Sequence, residues 1–138
     1  MKSHLYFIKN ETEMIRCGSI LACNLNPPKV LFINGEIGAG KTTLTRGILR
    51  GLGFYGHVKS PTYSIVETYL ISELQVEHFD LYRITDSEEL IWIGIENYFQ
   101  KNAITIVEWP EQGGKFLPQP NIIIDIKYQG HGRTVELS

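Results

Sequence analysis

Cysteine is scarce: Cys17 and Cys23 are the only two among 138 residues. Their spacing matches no common metal-binding or redox motif. Both fall on a stretch read below as a helix, where a free cysteine packs as a small hydrophobe. Long apolar runs are missing as well. No segment approaches the ~20 apolar residues of a membrane span. Met1-Lys2-Ser3-His4 leads into a short apolar run and then into Lys9-Asn10-Glu11. That run is too short and too mixed for a secretory signal, so the expected location is the cytoplasm. A basic excess is also lacking: 13 Lys and Arg stand against 15 Asp and Glu, a net charge of -2. A stand-alone nucleic-acid binder carries such an excess, so charge gives no reason to expect direct RNA binding. There is no internal repeat, low-complexity tract or obvious linker. The remaining composition, 43% hydrophobic and 20% charged, is that of an ordinary globular protein. The length fits one domain, large enough to bury about two-thirds of its unfolded surface without staples.

What is present begins with glycine. Gly35-Glu36-Ile37-Gly38-Ala39-Gly40-Lys41-Thr42 fits the phosphate-loop pattern G-x-x-x-x-G-K-[ST]. Its flanks agree. Val30 to Ile33 is a continuous apolar run, as in a strand buried on both faces. Thr42 to Leu52 carries Leu44, Ile48, Leu49 and Leu52 on one side, as in a helix, with Gly53 as its stop. Glycines let successive backbone N–H groups converge on phosphate oxygens, and the helix aims its positive end at the same point. Lys41 adds a full charge for the β- and γ-phosphates, and the Thr42 hydroxyl is the expected Mg²⁺ ligand. The motif therefore calls for a nucleoside triphosphate with Mg²⁺.

The other elements follow from periodicity and breakers. Leu5 to Ile8 reads as a strand, and Glu11 to Leu25 as a helix ended by Asn26-Pro27-Pro28. Gly56 to Pro61 reads as loop. Tyr63 to Leu70 and Leu74 to Leu81 read as a hairpin turning near Ser72-Glu73. Asp86 to Glu89 starts a helix that Gly94 interrupts, and Glu96 to Gln100 forms another short turn. Ala103 to Val107 is a second buried-type strand. Ile122 to Ile126 and Thr134 to Leu137 are late strands around Gly130-His131-Gly132. The sum is an α/β fold of the P-loop NTPase type, three-layered, with a mixed sheet, a parallel centre and flanking antiparallel strands.

P-loop enzymes place an acidic residue at the end of a neighbouring strand to hold the metal or its water. Asp80 and Glu108 compete for that place, and Glu108 ends the more apolar strand. Ser60-Pro61-Thr62 puts two hydroxyls around a stiff proline, as a γ-phosphate switch does. A plain loop entering a strand has the same look. His78 lies two residues before Asp80, on the same strand face, where packing is commoner than catalysis. Trp109 fits a packing role or a ligand contact equally. No kinase catalytic-loop signals follow, and there is no arginine-rich lid, arginine finger or placed glutamine. Intrinsic hydrolysis is therefore expected to be slow, with a partner completing the cycle.

Beyond Gly35 to Thr43, the chain holds Lys59-Ser60-Pro61-Thr62-Tyr63, His78-Phe79-Asp80-Leu81-Tyr82-Arg83, Glu88-Glu89-Leu90 with Gly94, and Val107-Glu108-Trp109-Pro110-Glu111. In this order they resemble the bacterial TsaE (formerly YjeE) family from about Thr12 to Arg133. The resemblance implies a Mg²⁺-dependent ATPase, weak alone, in tRNA threonylcarbamoyladenosine synthesis. It implies TsaB and TsaD as partners, the pair that modifies adenosine 37 of tRNAs reading codons that begin with adenine, with tRNA met only through them. It implies phosphate binding by Gly35, Ile37, Gly38, Ala39, Gly40, Lys41, Thr42 and Thr43, and Mg²⁺ binding by Thr42 and Glu108. Lys41, Asp80 and Glu108 are then the catalytic set and Ser60, Pro61 and Thr62 the switch. Thr12 and Arg133 align with positions contacting the base or sugar. Some relatives continue past the position of Ser138. Two other readings remain: a nucleotide-dependent binding switch that needs no hydrolysis, and a small-molecule kinase.

Overall fold

The computed structural model describes residues 4–138. Met1, Lys2 and Ser3, which enter the reading of the leader, lie outside them. The loop strand β2 (Lys29–Asn34) lies inside a seven-stranded sheet of order β1-β7-β6-β2-β5-β4-β3. Its partners are β5 (Ala103–Glu108) and β6 (Ile122–Gln129), both parallel to it, and β4 (Leu74–Asp80) is parallel to β5. Antiparallel strands close both sides. These are β3 (Val66–Ile71) beside β4, then β7 (Gly132–Leu137) and β1 (His4–Ile8) beyond β6. This is the mixed sheet with a parallel centre that the apolar runs called for.

Helices α1 (Glu11–Ala22) and α2 (Lys41–Leu52) cover one face. Met14, Cys17, Leu44, Ile48 and Leu49 pack there against Leu31, Ile33, Ile104, Ile106 and Ile124. The opposite face of β4 and β5 carries Phe79 and Val107. It is covered by Leu81, Ile84, Leu90 and Ile95, with Trp109 and Phe116 partly buried at the border. Every residue of β5 is buried, which explains its mostly apolar pattern. The helix pair is unusually close. A Cβ at Gly47 would collide with the Ile15 carbonyl, and one at Gly18 with the Leu44 carbonyl. Ser19 Oγ donates to the Gly47 carbonyl at 3.0 Å across the same crossing.

Several boundaries differ from the sequence reading. Tyr63 to Ile65 form a turn, not the start of a strand. Ile65 takes φ 73° and its N–H reaches back to the Pro61 carbonyl at 2.7 Å, so pairing begins at Val66. The first helix ends at Ala22, short of Leu25. Cys23, Asn24 and Leu25 donate to carbonyls three residues back, the tightened last turn common at helix ends. After α3 (Glu89–Trp92), Gly94 at φ 75° breaks the helix and a short 3-10 turn spans Ile95–Asn97, slightly earlier than expected. The last hairpin is longer than its apolar core, with Gly130-His131 as its two-residue turn.

Candidate nucleotide site

The loop from β2 to α2 turns on Gly38 at φ 81° and Gly40 at φ 109°. A Cβ at Gly40 would lie 3.0 Å from the Met14 methyl, and φ there already disfavours a side chain. No side chain caps the first turn of α2, so its N–H groups are open to an anion. The loop carbonyls are not open. Lys41 Nζ donates to Gly35 at 2.6 Å and to Glu36 at 2.9 Å. Tyr128 Oη donates to Ile37 at 2.9 Å. Arg133 donates to Gly38 at 3.3 Å and to Ala39 at 3.2 Å. The Leu44 N–H holds the Gly40 carbonyl at 2.9 Å. Every carbonyl from Gly35 to Gly40 is thus turned to a protein donor, which suits a loop that presents N–H groups to phosphate.

Lys41 is buried, with its ammonium 4.4 Å over the Trp109 ring. Burial pushes its pKa below the ordinary 10.5, while the nearby carboxylates of Glu108, Asp80 and Glu111 partly restore it. Trp109 reaches this place because it sits at φ 57° just after β5.

Parallel pairing puts Glu108 level with Ile33 on the loop strand and Asp80 level with Glu108, one strand farther out. Both carboxylates are almost wholly buried. Thr42 Oγ1 donates to Glu108, 3.1 Å from Oε2 and 3.4 Å from Oε1. His78 Nε2 meets the same Oε2 at 2.5 Å. Asp80 instead accepts from Thr62 Oγ1 at 3.2 Å and from the Tyr82 N–H at 3.0 Å. Ser60 Oγ lies 2.8 Å from Thr62 Oγ1. The two carboxylates that compete in the sequence therefore have different neighbours. Glu108 stands against the threonine of the phosphate loop, and Asp80 against the Ser60–Thr62 segment.

One cavity of about 330 Å³ gathers Lys41, Thr42, Thr43, Ser60, Thr62, Asp80, Glu108 and Trp109. A second, of about 230 Å³, lies on the other side of the loop between Met14, Ala39, Thr43, His131 and Arg133. Gly38, Gly40 and Thr43 line both. Pro61 is buried behind its two hydroxyl neighbours. Thr12 is exposed on the first turn of α1 and lines neither cavity, where Asn10, Glu11 and Met14 do. Nothing in the sequence marks Tyr128 as part of the site. Tyr128 pairs with Arg133 across the hairpin and its ring stacks 4.1 Å under the Arg133 guanidinium. Only the register brings the two together.

A hydroxyl and a carboxylate side by side are hard oxygen donors, the set that suits Mg²⁺ bound mainly by water and phosphate. The residues present fit that ion and a triphosphate.

The model of the family described as threonylcarbamoyl adenosine biosynthesis protein TsaE matches residues 8–135. The chain is 43% identical over 142 residues to the tRNA threonylcarbamoyladenosine biosynthesis protein TsaE of Haemophilus influenzae, covering 99% of this chain and 90% of that one. The protein of that name from Bacillus subtilis is 35% identical over 130 residues, with 94% and 81% covered. The crystal structure of Bacillus subtilis YdiB superposes with a TM-score of 0.79 at 28% identity, covering 99% of this chain and 84% of that one. Phosphate loop, parallel centre and matched length agree, and the chain belongs to the TsaE family.

Proposed function

We propose that the chain is a single-domain, cytoplasmic Mg²⁺-dependent ATPase whose slow cycle serves tRNA threonylcarbamoylation by the TsaB–TsaD pair. The observation that carries the reading is the Thr42–Glu108 contact at 3.1 Å beneath a complete phosphate loop. The names of the relatives support the pathway, and the family resemblance supplies the partners.

In this reading the loop N–H groups and the first turn of α2 receive phosphate oxygens, and Lys41 adds its charge. Arg133 and Tyr128 keep the loop carbonyls turned away from the anion. Thr42 and Glu108 would hold Mg²⁺, which when bound neutralises charge on the phosphates. Asp80 faces the same cavity, steadied by Thr62 and the Tyr82 N–H. It orients the attacking water there. The Ser60–Thr62–Asp80 chain of hydrogen bonds links that carboxylate to an exposed serine, which suits a segment that reports the state of the site. The residues lining this cavity include no arginine or glutamine, in keeping with slow turnover unless a partner assists.

Calorimetric titration of the full chain with ATP tests the reading. Wild type is expected to bind ATP more tightly with Mg²⁺ than in EDTA. Lys41→Ala is expected to lose about 10- to 100-fold in affinity, the usual worth of a charge-assisted hydrogen bond. Unchanged affinity in Lys41→Ala would overturn the phosphate-loop assignment.

A further inference from the structure

His78 has no part in the mechanism above, yet its setting is unusual. It lies inside β4 and is wholly buried. Val76 on the same strand face and Ile106 beside it on β5 are also fully buried. A wholly buried imidazole is costly unless its polar atoms are paired. Only one is. Nε2 meets Glu108 Oε2 at 2.5 Å, whereas Nδ1 has no partner among the described residues. As a packing residue, an aliphatic side chain would fill the place without that orphan. Among the described residues, the single hydrogen bond that the ring makes is with the carboxylate beside Thr42.

A carboxylate accepts, so Nε2 carries a hydrogen and donates it to Glu108 Oε2. Glu108 Oε2 is thereby held between two donors, His78 Nε2 and Thr42 Oγ1. Oε1 meets only Thr42 among the described residues, at the longer distance of 3.4 Å. Without the imidazole, rotation about the last bond of Glu108 would exchange the two oxygens and spread the carboxylate over many orientations.

We propose that His78 is a positioning residue: its hydrogen bond to Oε2 fixes the orientation of the Glu108 carboxylate beside Thr42, where the two residues would hold Mg²⁺. This rests on the Mg²⁺ reading given above. Hydrogen bonds that orient a ligating side chain are typically worth about 10- to 100-fold in metal affinity.

The experiment compares His78→Gln, His78→Asn and His78→Leu in the full chain. The glutamine amide nitrogen reaches the place of Nε2, whereas the asparagine amide is too short and leucine has no donor. ADP affinity is measured in EDTA, and the Mg²⁺ concentration that half-restores tight ADP binding is then titrated. His78→Gln is expected to stay close to wild type. His78→Asn and His78→Leu are expected to need about 10- to 100-fold more Mg²⁺, with ADP affinity in EDTA unchanged. In a Glu108→Ala background, His78→Leu is expected to change nothing further. Two variants remove the donor, so a failure of the leucine form to fold leaves the asparagine form to decide. Unchanged Mg²⁺ demand in those variants, or an effect that persists without Glu108, would overturn the assignment. If wild type itself binds ADP equally with and without Mg²⁺, the metal reading fails first and takes this inference with it.

Discussion

Arg133 and Tyr128 act on the loop from behind. Arg133 satisfies two consecutive carbonyls, and its plane rests on the Tyr128 ring, which satisfies a third through its hydroxyl. Arg133→Ala therefore releases two acceptors that would compete with the N–H face for orientation. Nucleotide affinity is expected to fall about tenfold, with unfolding free energy lowered by about 1–3 kcal/mol. Equilibrium titration and chemical unfolding of the same variant check both. At Thr42, alanine is expected to leave ATP affinity in EDTA near wild type and to remove the gain from Mg²⁺, read by the same titration. The residues of this site were legible in unequal degree. The glycine loop, Lys41 and Thr42 could be read directly, because their spacing is itself the geometry. Between Asp80 and Glu108, the more apolar run favoured Glu108, but both end strands, and which strand lies next to β2 is a matter of sheet order. Tyr128 was invisible because nothing local marks a tyrosine whose partner is a carbonyl 91 positions away.

At the scale of elements, the α1–α2 crossing sets where the first turn of α2 points. Its closeness depends on glycine. Helix propensity alone favours alanine over Gly47 by about 1 kcal/mol. The clash with the Ile15 carbonyl acts the other way, and overpacking of this kind costs about 1–3 kcal/mol. Because the obstacle is backbone, the clash wins. Gly47→Ala is expected to lower the unfolding midpoint in a thermal or denaturant scan. Element α3 carries a pH dependence. Glu89 accepts from the Asp86 and Thr85 N–H groups and from the Thr85 hydroxyl, which hold its carboxyl below the ordinary 4.5. A depressed carboxylate pKa adds stability above the ordinary value and loses it as pH falls through the folded one. Protection of the Thr85 to Leu90 amides, taken relative to their intrinsic exchange rates at each pH, is thus expected to fall as pH drops below 4.5, and Glu89→Gln is expected to abolish that step. Elements with strong apolar pattern, β2, β5 and α2, were legible nearly to their ends. The start of β3 was not. Its β-branched and aromatic residues read as strand, but the hydrogen bond from Ile65 to Pro61 takes the chain into a turn first.

For the whole molecule, the sheet order makes one edge of the phosphate loop a wall carrying Glu108 and Asp80 and the other a cavity between α1 and the last hairpin. No helix of the described residues is long and apolar enough to cross a membrane. The fold class was legible because strand, glycine loop and helix come in an order that admits few topologies. The job was legible only from the ordered set of motifs outside the loop, since a phosphate grip serves many reactions. In the proposed function, ATP turnover at Thr42 and Glu108 sustains repeated tRNA modification by a partner. The direct measurement is multiple-turnover threonylcarbamoylation of tRNA by TsaB and TsaD, with this chain as wild type or Glu108→Ala at saturating ATP. Repeated rounds are expected with wild type, and arrest after about one round with Glu108→Ala in its ATP-bound form. Equal yields from the two forms, or from the pair with no chain added, would contradict it.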